Sequence, residues 1–240
     1  MNNTAGSFAL LRAKVPRDSA IARKLREAGA IILGKTDLGQ WVNFRSSNSS
    51  NGWSTYEGKT YAAYYANQDP NGSSSGSGVS SSIGLALAAL GTETDGSIVS
   101  PANRNKLVGI KPTVGLTSRN PVIPISEHQD TIGPMARTVK DAASYILQVI
   151  AGVDNYTFAI SNNGTLADYI SALNCSALDG ARIGVAANLI EAFTDPVSAT
   201  EIRAFDAAVS LIADAGATIV PTPTPPRSSN ISTQSLRRKS

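Results

Sequence analysis

Two clusters of small residues hold the serines whose surroundings suit covalent chemistry. The first is Gly72-Ser73-Ser74-Ser75-Gly76-Ser77-Gly78. The second is Gly91-Thr92-Glu93-Thr94-Asp95-Gly96-Ser97-Ile98, followed by Pro101-Ala102. A serine hydroxyl attacks a carbonyl when a base takes its proton and main-chain N–H groups converge on the oxyanion that develops. Ser97, closing a turn of small residues, meets that requirement on residue type. Each cluster taken singly has a plainer reading. The Gly/Ser run has the composition of a flexible linker, and the second cluster that of an ordinary polar turn.

The residues after the first cluster bear on that choice. Val79, Ile83, Leu87 and Leu90 recur at helical spacing, which predicts an amphipathic helix instead of a further domain. A helix start presents main-chain N–H groups without intrahelical partners, a natural place to orient polar or negative groups. Gly72-Ser73-Ser74-Ser75-Gly76 also fits Gly-x-Ser-x-Gly, the nucleophile elbow of α/β-hydrolases, with Ser74 as the nucleophile. An elbow needs an apolar strand directly before it, whereas Tyr65–Asn71 is polar and broken by Pro70. It also needs an imidazole. His128 is the one histidine, and its polar neighbours suit a loop at a site entrance or a side chain facing water. The single cysteine, Cys175, forms no internal disulfide and no multi-cysteine metal site.

The elements that must position these serines follow an α/β pattern. Asp18 is placed to cap a helix with Ile21, Leu25 and Ala28 on one face. Gly29 ends it, and Ala30-Ile31-Ile32-Leu33 reads as a short buried strand. Ile202, Phe205, Val209 and Ile212 repeat the pattern, with Gly216 as the stop and Ala217–Val220 as the strand. Residues 182–187 add a strand. Thr138 opens a further helix, with Asp141 in capping-box position and Val139, Ala142, Ala143, Ile146 and Ile150 facing inward as far as Gly152. The expected fold is α/β, a mixed and mostly parallel sheet covered by helices. Residues 1–220 are read as one partial domain and 221–240, rich in Pro, Thr, Ser and Arg, as a disordered tail. The Ser/Asn/Gly-rich stretch 46–82 is long for a loop unless it serves a function.

Composition bounds the remaining classes. The 240 residues are 42% hydrophobic and 16% charged, as in a globular protein. The balance of 21 basic against 18 acidic residues, scattered apart from Arg237-Arg238-Lys239, which reads as a solvated tail, gives no support for a nucleic-acid partner. No apolar run is long enough to span a membrane. The first fifteen residues do not read as a secretory signal, so the cytoplasm is the default expectation.

The two serine clusters, followed by Gly109-Ile110-Lys111-Pro112-Thr113-Val114-Gly115, resemble the amidase signature family. That family's loop commonly reads Gly-Gly-Ser-Ser-Gly-Gly-Ser, its turn Gly-Thr-Asp-Thr-Gly-Gly-Ser-Ile, and a Gly-x-Lys-Pro-Thr-x-Gly segment comes next. Residues 25–38 and 129–138 match too, so the resemblance covers residues 4–220. The wording of the turn is similar to fungal members. The resemblance implies a C–N hydrolase of small carboxamides, working without a metal or organic cofactor through an acyl-enzyme on Ser97. Ser73 matches a bridging serine on a cis peptide bond, within hydrogen-bonding reach of the nucleophile. The N–H groups of Thr94, Asp95, Gly96 and Ser97 match the oxyanion hole, and Ser74 a hydrogen-bonding neighbour.

The family's base is a neutral lysine, whose pKa burial and cationic surroundings must lower. The resemblance places it upstream of Met1, so this chain is expected to lack it and to represent a core incomplete at both ends, with impaired hydrolysis. Lys35 matches the family's Leu-Gly-Lys-Thr strand end and reads as reaching solvent. The alternatives are a non-catalytic amidase fragment and a glutaminyl-tRNA amidotransferase-like subunit. Two departures stand out. Asp95 replaces the common glycine, bringing negative charge near the oxyanion unless its side chain points away. Val99 stands where many members carry an arginine that would anchor acidic substrates.

Overall fold

A computed structural model of the chain describes residues 3–152, 154–157, 166–186 and 198–221. Contacts divide them between two units, Met1–Ser171 and Ala172–Ser240, so the stretch 1–220 is spread over both.

In the first unit, α1 (Ala20–Glu27) starts at Ser19, whose Oγ accepts the Ala22 N–H at 3.1 Å. The expected cap, Asp18, instead accepts a hydrogen bond from Arg26 Nε at 3.0 Å. Ser19, one residue later, is the position with the extended backbone that a cap requires. Ile21 packs with Ile132, Leu147 and Ile150, and Leu25 lies against that cluster; Ala28 is exposed. The run Ala30–Leu33 is not a buried strand. No described strand pairs with it, and Ile31 and Leu33 are 84% and 70% exposed. A strand exists only through its ladder, and apolar side chains alone do not supply a neighbour.

The predicted helix after the first serine cluster is short. It forms α2 (Ser75–Ser82) and ends at Ile83. Gly84 then adopts φ +79°, and the chain enters a strand that takes up Leu90. The stripe at helical spacing is therefore split between two elements, and the buried face of α2 is made of Ser75, Gly76, Ser77, Gly78 and Ser81. Ser77 Oγ donates to Leu90 O at 2.7 Å and Ser81 Oγ to Met135 O at 3.2 Å. Small residues let the helix approach the sheet closely, and their hydroxyls satisfy carbonyls there.

The long Ser/Asn/Gly stretch is ordered partly by a two-stranded hairpin, β1 (Trp53–Ser54) and β2 (Gly58–Lys59). Strand β3 (Ala88–Glu93) precedes α3 (Val99–Arg104), β4 (Val108–Gly109) and β5 (Thr131–Ala136). β5 is the central strand of the three-stranded sheet and is buried at every position. It runs antiparallel to both neighbours, with Glu93 opposite Thr131 and Ala88 opposite Ala136. Ile98, Ala102 and Met135 form a second apolar cluster.

The helix begun at Thr138 has half of the expected capping box: Thr138 Oγ1 accepts the Asp141 N–H at 3.0 Å, while Asp141 Oδ2 accepts from the Thr138 hydroxyl at 2.7 Å instead of from the Thr138 N–H. It runs as a π-helical stretch, Asp141–Leu147, into one α-helical turn, α4 (Gln148–Ile150). Ala142, Ala143, Leu147 and Ile150 are buried, but Val139 is exposed; the wider π spacing shifts which residues face the core. Lys24 Nζ donates to Ile150 O and Ala151 O at 3.2 and 3.1 Å, capping that helix end. Burial holds the Lys24 pKa below the ordinary lysine value, opposed by Asp154.

In the second unit β6 (Arg182–Val185) pairs in parallel with β7 (Thr218–Pro221), which follows α5 (Ser198–Asp214) after Gly216. Parallel pairing is thus confined to this pair among the described strands. The sheet of the first unit is antiparallel because β5 runs back along β3 and β4. Residues 222–240, most of the expected tail, lie outside the described residues. No described helix is long and apolar enough to cross a membrane.

The packing at β5 sets a stability prediction. A Cβ added at Gly133 would fall 2.0 Å from Ile110 O and 2.7 Å from Pro112 Cδ. Gly133→Ala should cost at least about 1–3 kcal/mol by overpacking, read as a lower thermal midpoint by circular dichroism. An unchanged midpoint would contradict this close approach.

Candidate active site

Glu93 ends β3 and is 4% exposed. Its carboxylate accepts three main-chain N–H groups of the next turn: Gly96 at 2.8 Å on Oε1, and Ile98 and Val99 at 2.7 and 3.0 Å on Oε2. Hydrogen bonds to an ionised acceptor are the stronger kind, so the carboxylate cages the turn that carries Ser97. Gly96 takes φ +81°, a conformation open to glycine at little cost. Ile98, fully buried against Ala102 and Met135, plugs the turn into the core. Sequence reasoning did not single out Glu93. Its signal is an acidic residue at the position where the resembled family has Asp, three residues before an amide it must hold.

Within that cage the Gly96 N–H donates to Glu93 Oε1 at 2.8 Å. The N–H groups of Thr94, Asp95 and Ser97 form no such hydrogen bond among the described residues. Asp95 is exposed and Ser97 partly so. Thr94 Oγ1 donates to Asp130 Oδ1 at 2.6 Å, and Asp130 Oδ2 accepts the N–H groups of Ile125 and Ser126 at 2.7 and 2.9 Å.

The peptide bond Gly72–Ser73 is cis. Ser73 is 1% exposed, its carbonyl accepts the Gly39 N–H at 2.9 Å, and its Oγ has no hydrogen-bond partner. The residue after it joins the two serine clusters. Ser74 N–H donates to Ser97 O at 3.2 Å, while Ser74 Oγ donates to Thr92 O at 3.3 Å and accepts the Thr92 N–H at 3.1 Å. The clusters therefore meet through main chain and Ser74, and no hydrogen bond links the hydroxyls of Ser73 and Ser97. The start of α2 is likewise not a free donor set: Gly76 N–H donates to Asp37 O at 3.0 Å. A Cβ at Gly76 would lie 2.5 Å from that same oxygen. The Asp37 carboxylate in turn accepts from Ser54 Oγ and Thr60 Oγ1, both at 3.0 Å, tying the hairpin to the serine loop.

On the other side stand Trp41, Val42 and Asn43, with φ of 52°, 51° and 63°, a left-handed turn of three consecutive side-chain-bearing residues. Asn43 Nδ2 donates to Asn51 Oδ1 at 3.1 Å and lies 2.7 Å from where a Cβ on Gly72 would be, while its Oδ1 is buried without a partner. A cavity of about 200 Å³ adjoins the Ser97 turn, bordered by Val42, Thr92–Thr94, Val122–Ile125 and Thr131–Ile132. A larger one, about 500 Å³, is lined by Arg17, Asp18, Arg23 and Asn120 and includes neither serine cluster.

The rival nucleophile fails on this geometry. Ser74 Oγ is buried and bonded both ways to Thr92, no strand leads into Gly72, and His128 is exposed. Lys35 Nζ donates to Asn3 Oδ1, and burial draws its pKa down from the ordinary value, opposed by Asp18. It does not reach Ser73, whose hydroxyl is unpaired.

Comparison with known proteins agrees with the arrangement of these segments. The Amidase family model matches residues 1–237. A protein of Arthroderma benhamiae that carries the provisional name of an amidase is 58% identical over 223 residues, covering 92% of this chain and 37% of that protein. A glutamyl-tRNA(Gln) amidotransferase subunit from Trichodesmium erythraeum is 38% identical over 218 residues, covering 90% and 43%. The native peptide amidase of Stenotrophomonas maltophilia superposes with a TM-score of 0.84 at 44% identity, covering 94% of this chain and 45% of that one. The chain spans less than half the length of each of these relatives. With its motifs, their spatial order and a family match along nearly its whole length, the chain belongs to the amidase family, among the amidase signature proteins.

Proposed function

We propose that residues 1–220 form part of an amidase signature domain that holds the acyl-transfer portion of a carboxamide-hydrolysing site. Ser97 is the nucleophile and Ser73 the bridging serine. The observation that carries this reading is the Ser74 N–H to Ser97 O hydrogen bond at 3.2 Å, which unites the two serine clusters beside a caged turn. Ser97 Oγ attacks the carbonyl carbon, its proton passing by way of Ser73. The amides of Thr94, Asp95 and Ser97 face the oxyanion, with Ser74 supporting the turn. Collapse expels ammonia or an amine, which takes the proton, and water then releases the carboxylic acid. The fold of the peptide amidase relative supports a small amide or peptide amide as substrate.

A base completes this scheme, and among the described residues no amine touches Ser73 Oγ. Loss of one member of a coupled catalytic set lowers the rate by several orders of magnitude. The chain by itself is therefore expected to hydrolyse simple carboxamides far more slowly than complete amidases, measured as ammonia release. Ordinary amidase turnover, abolished by Ser97→Ala, would overturn that expectation. A fluorophosphonate probe should label Ser97 in the chain and leave Ser97→Ala unlabelled. Absence of labelling in both would favour a non-catalytic segment.

The caged turn gives a second test. Glu93→Gln leaves one acceptor oxygen and an NH₂ group facing three main-chain donors. Losing a hydrogen bond to a charged group costs about 1.5–3 kcal/mol, so Ser97 labelling should slow by roughly tenfold or more. Glu93→Asp, which keeps the carboxylate, should recover part of the rate. Equal labelling rates in all three forms would show that the cage does not position Ser97.

A further inference from the structure

We propose that Asn71-Gly72 is a self-modification site, at which the folded loop promotes cyclisation of Asn71 to a succinimide and its conversion to aspartate and isoaspartate. The substrate is the chain itself and the co-reactant is water, so the inference does not depend on how Ser97 is read.

Asparagine followed by glycine is the pair at which this cyclisation meets least steric resistance, because glycine has no side chain to hinder its own nitrogen. Three such pairs occur in the sequence: Asn51-Gly52, Asn71-Gly72 and Asn163-Gly164. The last lies outside the described residues. The other two stand in opposite conditions. Reaction requires the glycine nitrogen to meet the asparagine Cγ. At Asn71 the Gly72 N–H donates to Oδ1 of that same asparagine at 2.8 Å. A C=O bond adds about 1.2 Å, so the nitrogen lies within about 4 Å of Cγ. At Asn51 the carboxamide is turned to other partners. Its Oδ1 accepts from Asn43 Nδ2 at 3.1 Å, and its Nδ2 donates to Asp69 Oδ2 at 3.2 Å.

The surroundings of Asn71 assist the reaction. When the Gly72 nitrogen loses its proton, the charge is shared with Asn71 O, the oxygen of the same peptide unit. Ser75 Oγ donates to that oxygen at 2.6 Å, and Ser75 is fully buried, so a fixed donor stands where charge develops. The Asn71 N–H donates to Asp69 Oδ1 at 2.7 Å, which holds the residue in place for attack. Asp69 brings negative charge that works against the anion, but its two oxygens are engaged by the Asn71 N–H and Asn51 Nδ2. Asn71 Nδ2, which must depart, makes no hydrogen bond among the described residues. Asn71 and Gly72 are half-buried, so water reaches them.

Hydroxide takes the Gly72 N–H proton and the nitrogen bonds Cγ. The Cγ–Nδ2 bond then breaks, and ammonia leaves with a proton from water, which restores the hydroxide. Water opens the ring at either carbonyl. One opening leaves aspartate at position 71. The other leaves isoaspartate, whose main chain runs through Cγ and is one atom longer. That extra atom enters the loop just ahead of Ser73 and of Ser74, whose N–H reaches Ser97 O.

The test incubates the full chain at alkaline pH, folded and in denaturing urea. Each Asn-Gly pair is followed by peptide mass spectrometry that separates aspartate from isoaspartate. In the folded chain Asn71 should convert at least about tenfold faster than Asn51, which must first give up two hydrogen bonds. It should also convert faster than it does in urea, where the geometry is lost. Ser75→Ala should slow Asn71 about two- to tenfold in the folded chain, the span of one net hydrogen bond, and leave its rate in urea unchanged. Conversion of Asn71 no faster than that of Asn51, or no faster folded than in urea, would overturn the proposal. So would an unchanged Asn71 rate in a Ser75→Ala chain that circular dichroism shows to be folded. The comparison of folded and unfolded Asn71 needs no substitution, so it decides the matter even where Ser75→Ala fails to fold.

Discussion

The Glu93 carboxylate, taken out of solvent and surrounded by the N–H groups of Gly96, Ile98 and Val99, is the constraint on which the arrangement around Ser97 depends. A turn built from small residues has few side chains with which to hold itself. Fixing each of its residues in one conformation costs about 1–2 kcal/mol of backbone entropy, and here a single charged acceptor offsets that cost at three points. The acceptor must itself be immobile. Glu93 gains that from the β3–β5 ladder, whose central strand is buried along its whole length. Ile98, packed under the turn, closes the arrangement from below.

A second theme is the use of serine hydroxyls as structural ties. In α2 the buried face consists of serine and glycine, and the hydroxyls of Ser77 and Ser81 reach carbonyls on β3 and β5. Ser74 ties the serine loop to β3 through both its hydrogen-bonding capacities. Such residues bury little apolar area, so they contribute little through the hydrophobic effect. They allow backbones to approach at distances that Gly76 and Gly133 also exploit. Close approach and satisfied hydroxyls together bring two separate loops of the chain into direct contact.

The sequence was informative where local chemistry decides local structure. The Thr138 side-chain cap, the stop at Gly216 and the β6 and β7 strands could be read because each depends on neighbours in the chain. The pairing of the Ser73 and Ser97 segments was legible through family motifs. Features set by distant contacts were not. The stripe through Leu90 looked helical because apolar spacing cannot reveal that the helix ends at Ile83, before the left-handed Gly84. Ala30–Leu33 looked like a buried strand because hydrophobicity says nothing about whether a neighbouring strand is present. The hydrogen bond from the Gly96 N–H to Glu93 was not legible either, because the two come within reach only once the turn has folded. The antiparallel course of β3 and β5 depends on a return path through residues 110–130 that carries no periodic signal.

The three left-handed residues Trp41, Val42 and Asn43 have a mechanical consequence. Each stands about 1–2 kcal/mol above its relaxed backbone state, and contacts such as Ala5 O to the Trp41 N–H and Asn51 to Asn43 keep the turn wound. Val42, at its centre, borders the cavity next to Ser97. Part of that wall is thus held in a costly backbone conformation by hydrogen bonds to Ala5 and Asn51, residues that do not themselves line it.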